Sequence, residues 1–138
     1  MTYTKRFSSQ WIPSGPAGTQ ITLQEMRRLA LEDHQSPEVQ TLAAEVQDAF
    51  GLDAWLRSVW VFVPDPEDAE YVKSPTFQFH ESLEHYQHTG QLIFQGDCDD
   101  ASTLAASILR ALGYPAWFTA IRMPQNPEFE HVYTTVDM

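Results

Sequence analysis

Apolar residues recur at helical spacing through the first half of the chain, where start and stop signals separate three segments. Thr22 and Glu25 have the spacing of a capping box, which predicts the start of a helix. Ser36-Pro37 predicts a second start, because proline suits the first position of a helix. The three predicted helices occupy about 22–34, 37–50 and 53–63, and together they form a helical part at residues 21–63.

The second half of the chain has one strong helical pattern, followed by two segments typical of strands. Apolar residues from Ala101 to Leu112 recur at helical spacing after Asp97, and Gly113-Tyr114-Pro115 carries the stop signals of a helix end. Segments 116–123 and 130–136 are rich in β-branched and aromatic residues. Residues 96–138 therefore predict a buried helix packed on an antiparallel hairpin, so we expect an α+β fold.

Two regions have weaker patterns. Residues 1–20 are rich in Ser, Thr, Gly and Pro, which predicts an N-terminal arm that docks through Trp11. In 64–95 we expect a short strand at 70–72, a turn at Ser74-Pro75 and a helical turn from Ser82 to Gln87 that ends near Gly90. With 138 residues, 43% of them apolar, the chain is long enough for one core, so 21–138 is predicted to be a single domain.

The charge balance restricts the partners. The 19 acidic and 8 basic residues give a formal net charge of -11, which works against binding to nucleic acid or to an anionic membrane surface. A cationic or neutral substrate fits better. The sequence has neither a signal-peptide core nor an apolar run of ~20 residues, so we expect a cytoplasmic protein. Its single cysteine cannot form an internal disulfide.

That cysteine, Cys98, is the strongest candidate for chemistry. It lies where the buried helix is predicted to start, and the unpaired N–H groups of a helix start favour a thiolate. The same groups can donate hydrogen bonds to an oxyanion, so the backbone N–H groups of Cys98 and Asp99 are the candidate oxyanion donors. Neighbouring aspartates raise the pKa of the thiol, so a cation is required, and protonated His131 is the candidate. The alternative is a structural cysteine and a strand-end histidine, with the aspartates complementing the helix dipole.

A second cluster of candidate ligands lies on the predicted helical turn and comprises His80, Glu81, Glu84, His85 and His88. Its spacing matches no standard zinc motif, so a solvated, pH-sensitive turn is the expectation. The aspartates around Cys98 lack the alternating ligands of a calcium loop. We therefore predict neither a metal site nor a cofactor.

Three segments carry a resemblance to a known family: Gly96-Asp97-Cys98-Asp99-Asp100, residues 104–115 and His131-Val132-Tyr133. Together they resemble the transglutaminase-like superfamily of cysteine enzymes. Upstream segments at 17–29, 60–65 and 70–75 are similar to a branch often encoded in bacteriophages and prophages. The similarity covers roughly 13–75 and 95–136, and residues 76–94 match nothing in it.

The resemblance implies a papain-like fold and a cysteine enzyme that transfers acyl groups from amide bonds of a protein or peptide, as a peptidase, an amidase or a cross-linking enzyme. Cys98 would be the nucleophile and His131 the general base and acid. The family's third residue, an acid on the next strand, has no counterpart. Asp137 is a poor substitute, because a continuous strand from His131 would separate the two by ~20 Å.

Three explanations for the missing acid stay open. The chain is truncated at its C-terminus, which we expect; a dyad works without the acid; or Asp99 or Asp100 supplies it. A rival interpretation is a weak or inactive phage-type interaction or assembly protein that retains the fold. Edge strands left by truncation would favour pairing with a second copy, so a homodimer is also predicted.

Overall fold

A computed structural model describes the backbone at residues 7–10, 16–64, 70–123 and 126–137, and the side chains at 20–64, 72–121 and 131–137. Helices and strands are mixed, as expected for the α+β class. The helices are α1 (Pro16–Asp33), α2 (Pro37–Val46), α3 (Ala49–Val59), α4 (Pro75–Thr89) and α5 (Cys98–Ala111). The strands are β1 (Phe7–Gln10), β2 (Trp60–Phe62), β3 (Glu70–Lys73), β4 (Phe94–Gly96), β5 (Ala116–Met123) and β6 (Asn126–Val136).

Helix α5 lies at the centre of the molecule, where every residue from Asp99 to Leu109 except Ala101 is buried. Leu104 and Ile108 are fully buried, and α1, α2 and the β5–β6 hairpin pack around the helix. Burying a Leu or Ile side chain contributes roughly 1.5–3 kcal/mol, so this helix supplies much of the driving force for folding. The predicted buried helix is confirmed.

The β5–β6 hairpin is antiparallel, as predicted, and alternation assigns its residues to two faces. Val132 and Thr134 face α5: the hydroxyl of Ser102 donates to the Val132 carbonyl at 3.2 Å, and the Thr134 hydroxyl donates to the Ser102 carbonyl at 2.8 Å. His131 and Tyr133 occupy the other face and are exposed. Strand β6 starts at Asn126, earlier than predicted.

The remaining strands form two further pairs that the sequence did not predict. Strand β1 pairs antiparallel with β3, and β2 pairs parallel with β4. The predicted third helix ends at Val59 instead of continuing to residue 63, because the β-branched and aromatic run that follows pairs with β4. Strand β4 leads directly into α5 and so fixes the position where that helix starts.

Two predicted boundaries near prolines are wrong. Helix α1 starts at Pro16, so Thr22 and Glu25 lie inside it and form no capping box. At Ser74-Pro75 there is a helix start rather than a turn: the Ser74 side chain accepts a hydrogen bond from the Phe77 N–H, and α4 runs until left-handed Gly90 ends it. The Ser36-Pro37 start is confirmed by the same geometry.

The predicted arm is only partly described. Phe7–Gln10 forms β1, residues 16–20 belong to α1, and Trp11 lies outside the described residues. In the part of the chain that the structure describes, no helix combines the length and the apolar character needed to cross a bilayer.

Candidate active site

The start of α5 is held by a reciprocal capping box, which is why the helix begins at Cys98. The Asp97 carboxylate accepts from the N–H groups of Asp99 at 3.0 Å and Asp100 at 3.2 Å. In return, Asp100 Oδ2 accepts from the Asp97 N–H at 3.2 Å. Backbone and side chains around the cysteine are therefore locked together.

Asp100 is the centre of a buried network that ties α5 to β3 and α4. Only 1% exposed, it accepts from the Lys73 N–H through Oδ1 at 2.8 Å. The Gln78 amide donates to the carbonyls of both Lys73 and Asp100, each at 3.0 Å. Gly96 is required beside it, since a Cβ there would lie 2.4 Å from Asp100 Oδ2. Asp100 thus holds the helix start, and its carboxylate is committed to backbone N–H groups.

The Cys98 thiol is partly buried where the start of α5 meets β6. It donates to Asp99 Oδ1 across 3.8 Å and lies against the backbone of Val132. Burial raises the pKa of the thiol to about 11; the backbone hydrogen bond with Val132 lowers it, while the charges of Asp99 and Asp97 raise it further. At neutral pH the group is therefore a thiol, chiefly because it is buried.

His131 contacts the Cys98 thiol through its backbone and not through its imidazole ring. The peptide that joins it to Val132 contacts the thiol, whereas the imidazole lies on the outward face of the hairpin, 6.3 Å from the ring of Tyr133 between centroids. No hydrogen bond links thiol and imidazole among the described residues. The structure thus brings the two predicted elements together and leaves the two side chains apart.

The helix-start N–H groups are not equally available. Those of Asp99 and Asp100 already donate to Asp97, so the predicted oxyanion role of Asp99 is not available in this arrangement. Within the described part of the chain, no acceptor faces the Cys98 N–H. This single donor lies next to the thiol, which is where an oxyanion would form.

The three candidates for the third acid, Asp99, Asp100 and Asp137, lie in different surroundings. Strand β6 is continuous through Val136, and the Asp137 N–H donates to the Pro115 carbonyl at 3.2 Å. Asp137 therefore lies just beyond the C-terminal end of β6, six residues of extended chain away from His131. Asp99 is the carboxylate that touches the thiol, and Asp100 is committed to the buried network.

The second predicted cluster lies on α4, away from the thiol. His80 faces α2, with Nε2 at 3.7 Å from Glu38 Oε1, whereas Glu81, Glu84, His85 and His88 line a shallow groove of about 240 Å³. In the described ranges, no three His, Cys, Asp or Glu side chains are arranged to hold a metal ion.

Comparison with protein-family models, with curated proteins and with solved structures finds no match for this chain.

Proposed function

We propose that this protein is a cysteine-dependent acyl-transfer enzyme of the transglutaminase-like type, with a papain-like arrangement of helix and hairpin. One observation carries the proposal: the Cys98 thiol at the start of α5 lies against the peptide that joins His131 to Val132. A helix-start cysteine beside a strand that bears a histidine is the arrangement that the sequence motif implies. The substrate would be a protein or peptide amide, and the compartment cytoplasmic.

The chemistry follows from these groups. The Cys98 sulfur attacks the amide carbonyl carbon and the thiol proton passes to the His131 imidazole. The Cys98 N–H donates to the oxyanion of the tetrahedral intermediate. When the C–N bond breaks, the imidazolium gives its proton to the leaving amine, and an acyl-enzyme thioester remains. Water then releases an acid, or a second amine releases a new amide.

In the unliganded protein the Cys98 thiol is protonated and the His131 imidazole lies away from it, so the reaction requires a rearrangement. Because the pKa of the thiol is about 11, a preformed thiolate is scarce at neutral pH, so deprotonation must accompany attack. The reaction therefore requires β6 to move when substrate is bound, because His131 and Val132 point to opposite faces of the strand and rotation of the side chain alone does not bring the imidazole to the thiol. Catalytic hydrogen bonds often form fully only in the substrate complex, so the reaction itself and not the unliganded geometry is the test of His131.

A second candidate function is a non-catalytic interaction or assembly protein of the phage type. Two observations favour it: the raised pKa of the thiol and the exposure of the His131 side chain on the face away from α5. In that case the strand edges would serve pairing with another chain, including a second copy of this one.

Turnover distinguishes the two functions. The full chain is incubated with a peptide that carries primary amides, with and without a primary amine, and released ammonia and new amide bonds are measured. We expect turnover that disappears in Cys98→Ser and falls by about 100-fold or more in His131→Ala, since general acid–base catalysis contributes that much.

The matched control is His88→Ala, which removes an exposed histidine from α4 and should leave the rate unchanged. Turnover that is insensitive to His131→Ala would contradict the proposed mechanism. No turnover in the unmodified chain would favour the interaction protein.

A further inference from the structure

A groove of about 420 Å³ lies between α1, α5 and β5, and the proposed catalytic site does not include it. Arg27, Arg110 and Trp117 are among the residues that line it. Arg110 is in the last turn of α5, while Cys98 starts the helix. At about 1.5 Å per residue the two lie roughly 18 Å apart along the axis, so the groove is a separate site.

The charges of this groove contrast with the rest of the protein. Three of the basic side chains that the structure describes form ion pairs with carboxylates: Arg28 with Glu25 and Glu32, Arg57 with Asp53, and Lys73 with Glu81. The two that have no carboxylate partner in the described part of the chain are Arg27 and Arg110, and both line the groove. In a chain with a formal net charge of -11, this groove is thus lined by two arginines and, among the described residues, by no carboxylate.

The groove has the donors and the apolar surface that an organic anion requires. The Arg110 Nη2 donates to the Ala116 carbonyl at 2.7 Å, which fixes the side chain and leaves its other N–H groups for a ligand. Gln20 and Gln24 add amide groups on the α1 side. Trp117, 47% exposed, supplies an apolar surface beside the charges.

We propose that this groove binds a small organic oxyanion, a carboxylate or a phosphate carried on a planar apolar body. The two guanidinium groups would hold the oxyanion, and Trp117 would contact the apolar body. This inference does not depend on the function proposed for Cys98.

The test is an NMR titration of the full chain with benzoate, phenyl phosphate and neutral benzamide, in which the indole N–H signal of Trp117 is followed. We expect both anions to shift this signal in a saturable way that weakens with added salt. Benzamide should bind at least about tenfold more weakly, because a charge-assisted hydrogen bond contributes about that factor. The tighter of the two anions identifies a carboxylate or a phosphate as the preferred group, and either order supports the proposal.

Two variants make the result specific. Arg27→Gln should weaken binding of both anions by about tenfold or more, since Arg27 is exposed and its loss disturbs no described contact. The matched control Arg57→Gln removes an exposed arginine outside the groove and should leave the Kd unchanged. The proposal is overturned if no probe shifts the Trp117 signal, if benzamide binds as tightly as benzoate, or if the two variants weaken binding equally.

Discussion

Replacing Gly96 by alanine tests how firmly the start of α5 is held. The new Cβ would lie 2.4 Å from Asp100 Oδ2 and 2.7 Å from its Cβ, distances that real structures do not tolerate. Asp100 would have to move away from the N–H groups of Asp97 and Lys73. Each hydrogen bond to a charged group is worth about 1.5–3 kcal/mol, so loss of the two should lower the free energy of unfolding by roughly 3–6 kcal/mol.

Urea denaturation followed by tryptophan fluorescence measures this loss. Gly113→Ala is the matched control: its φ is 95° but a Cβ there meets nothing within 4 Å, so only backbone strain of about 1–2 kcal/mol is expected. A loosened helix start should also expose the Cys98 thiol and speed its alkylation by iodoacetamide. If Gly96→Ala were no more destabilising than Gly113→Ala, the hydrogen bonds of Asp100 would not be what holds the start of α5.

Three further predictions concern the thiol and the helix caps. Asp99→Asn removes a negative charge beside the thiol, so it should lower the pKa of Cys98 and speed alkylation by iodoacetamide at a fixed pH; an unchanged rate would contradict this. In the folded protein, the rate of Cys98 alkylation should rise with a midpoint near pH 11, against 9.0 for an unperturbed cysteine. At neutral pH the folded protein should therefore be alkylated about 100-fold more slowly than the protein unfolded in urea. Equal rates in the two states would show that burial does not raise the pKa of the thiol. Because the folded pKa is the higher one, the protonated thiol's contribution to stability is intact below about pH 9 and is lost between about 9 and 11. Ser74→Ala should lower the free energy of unfolding by about 1 kcal/mol in urea, since the Phe77 N–H loses its cap, and a stability equal to that of the unmodified chain would show that the cap contributes nothing.

The sequence predicts an element correctly where its local start signal and its tertiary packing favour the same structure. Ser36-Pro37 starts α2. Asp97 caps α5, and the predicted apolar positions Leu104, Ala105, Ile108 and Leu109 of that helix are buried. The hairpin was predictable because its residues are β-branched and aromatic and follow a clear stop signal at Gly113. In these segments local preference and tertiary packing favour the same structure.

Other segments depend on contacts between residues distant in sequence. Strand β2 looks like the continuation of α3 and becomes a strand only because β4 pairs with it. Helix α4 could have been predicted from Ser74-Pro75, which has the same cap geometry as Ser36-Pro37. The hydrogen bonds of Gln78 to Lys73 and Asp100 join three elements, and no local pattern indicates them.

In the candidate site, too, local signals predict some features, whereas others depend on tertiary packing. The motif predicted that Cys98 starts a helix and that a histidine-bearing strand lies beside it, and both features are present. Which face of β6 carries the imidazole depends on register, because adjacent residues of a strand point to opposite faces. Burial of Val132 and Thr134 against α5 therefore leaves His131 outward, and sequence spacing alone could not reveal this.

The most direct test of the proposed chemistry is the detection of a covalent intermediate. The chain is mixed with a peptide amide at neutral pH, quenched in acid and analysed by intact-mass spectrometry at successive times. We expect an acyl adduct on Cys98 that forms much more slowly in His131→Ala and at the normal rate in His88→Ala. An adduct that forms equally fast without the imidazole, or no adduct on Cys98 at all, would contradict the proposed chemistry.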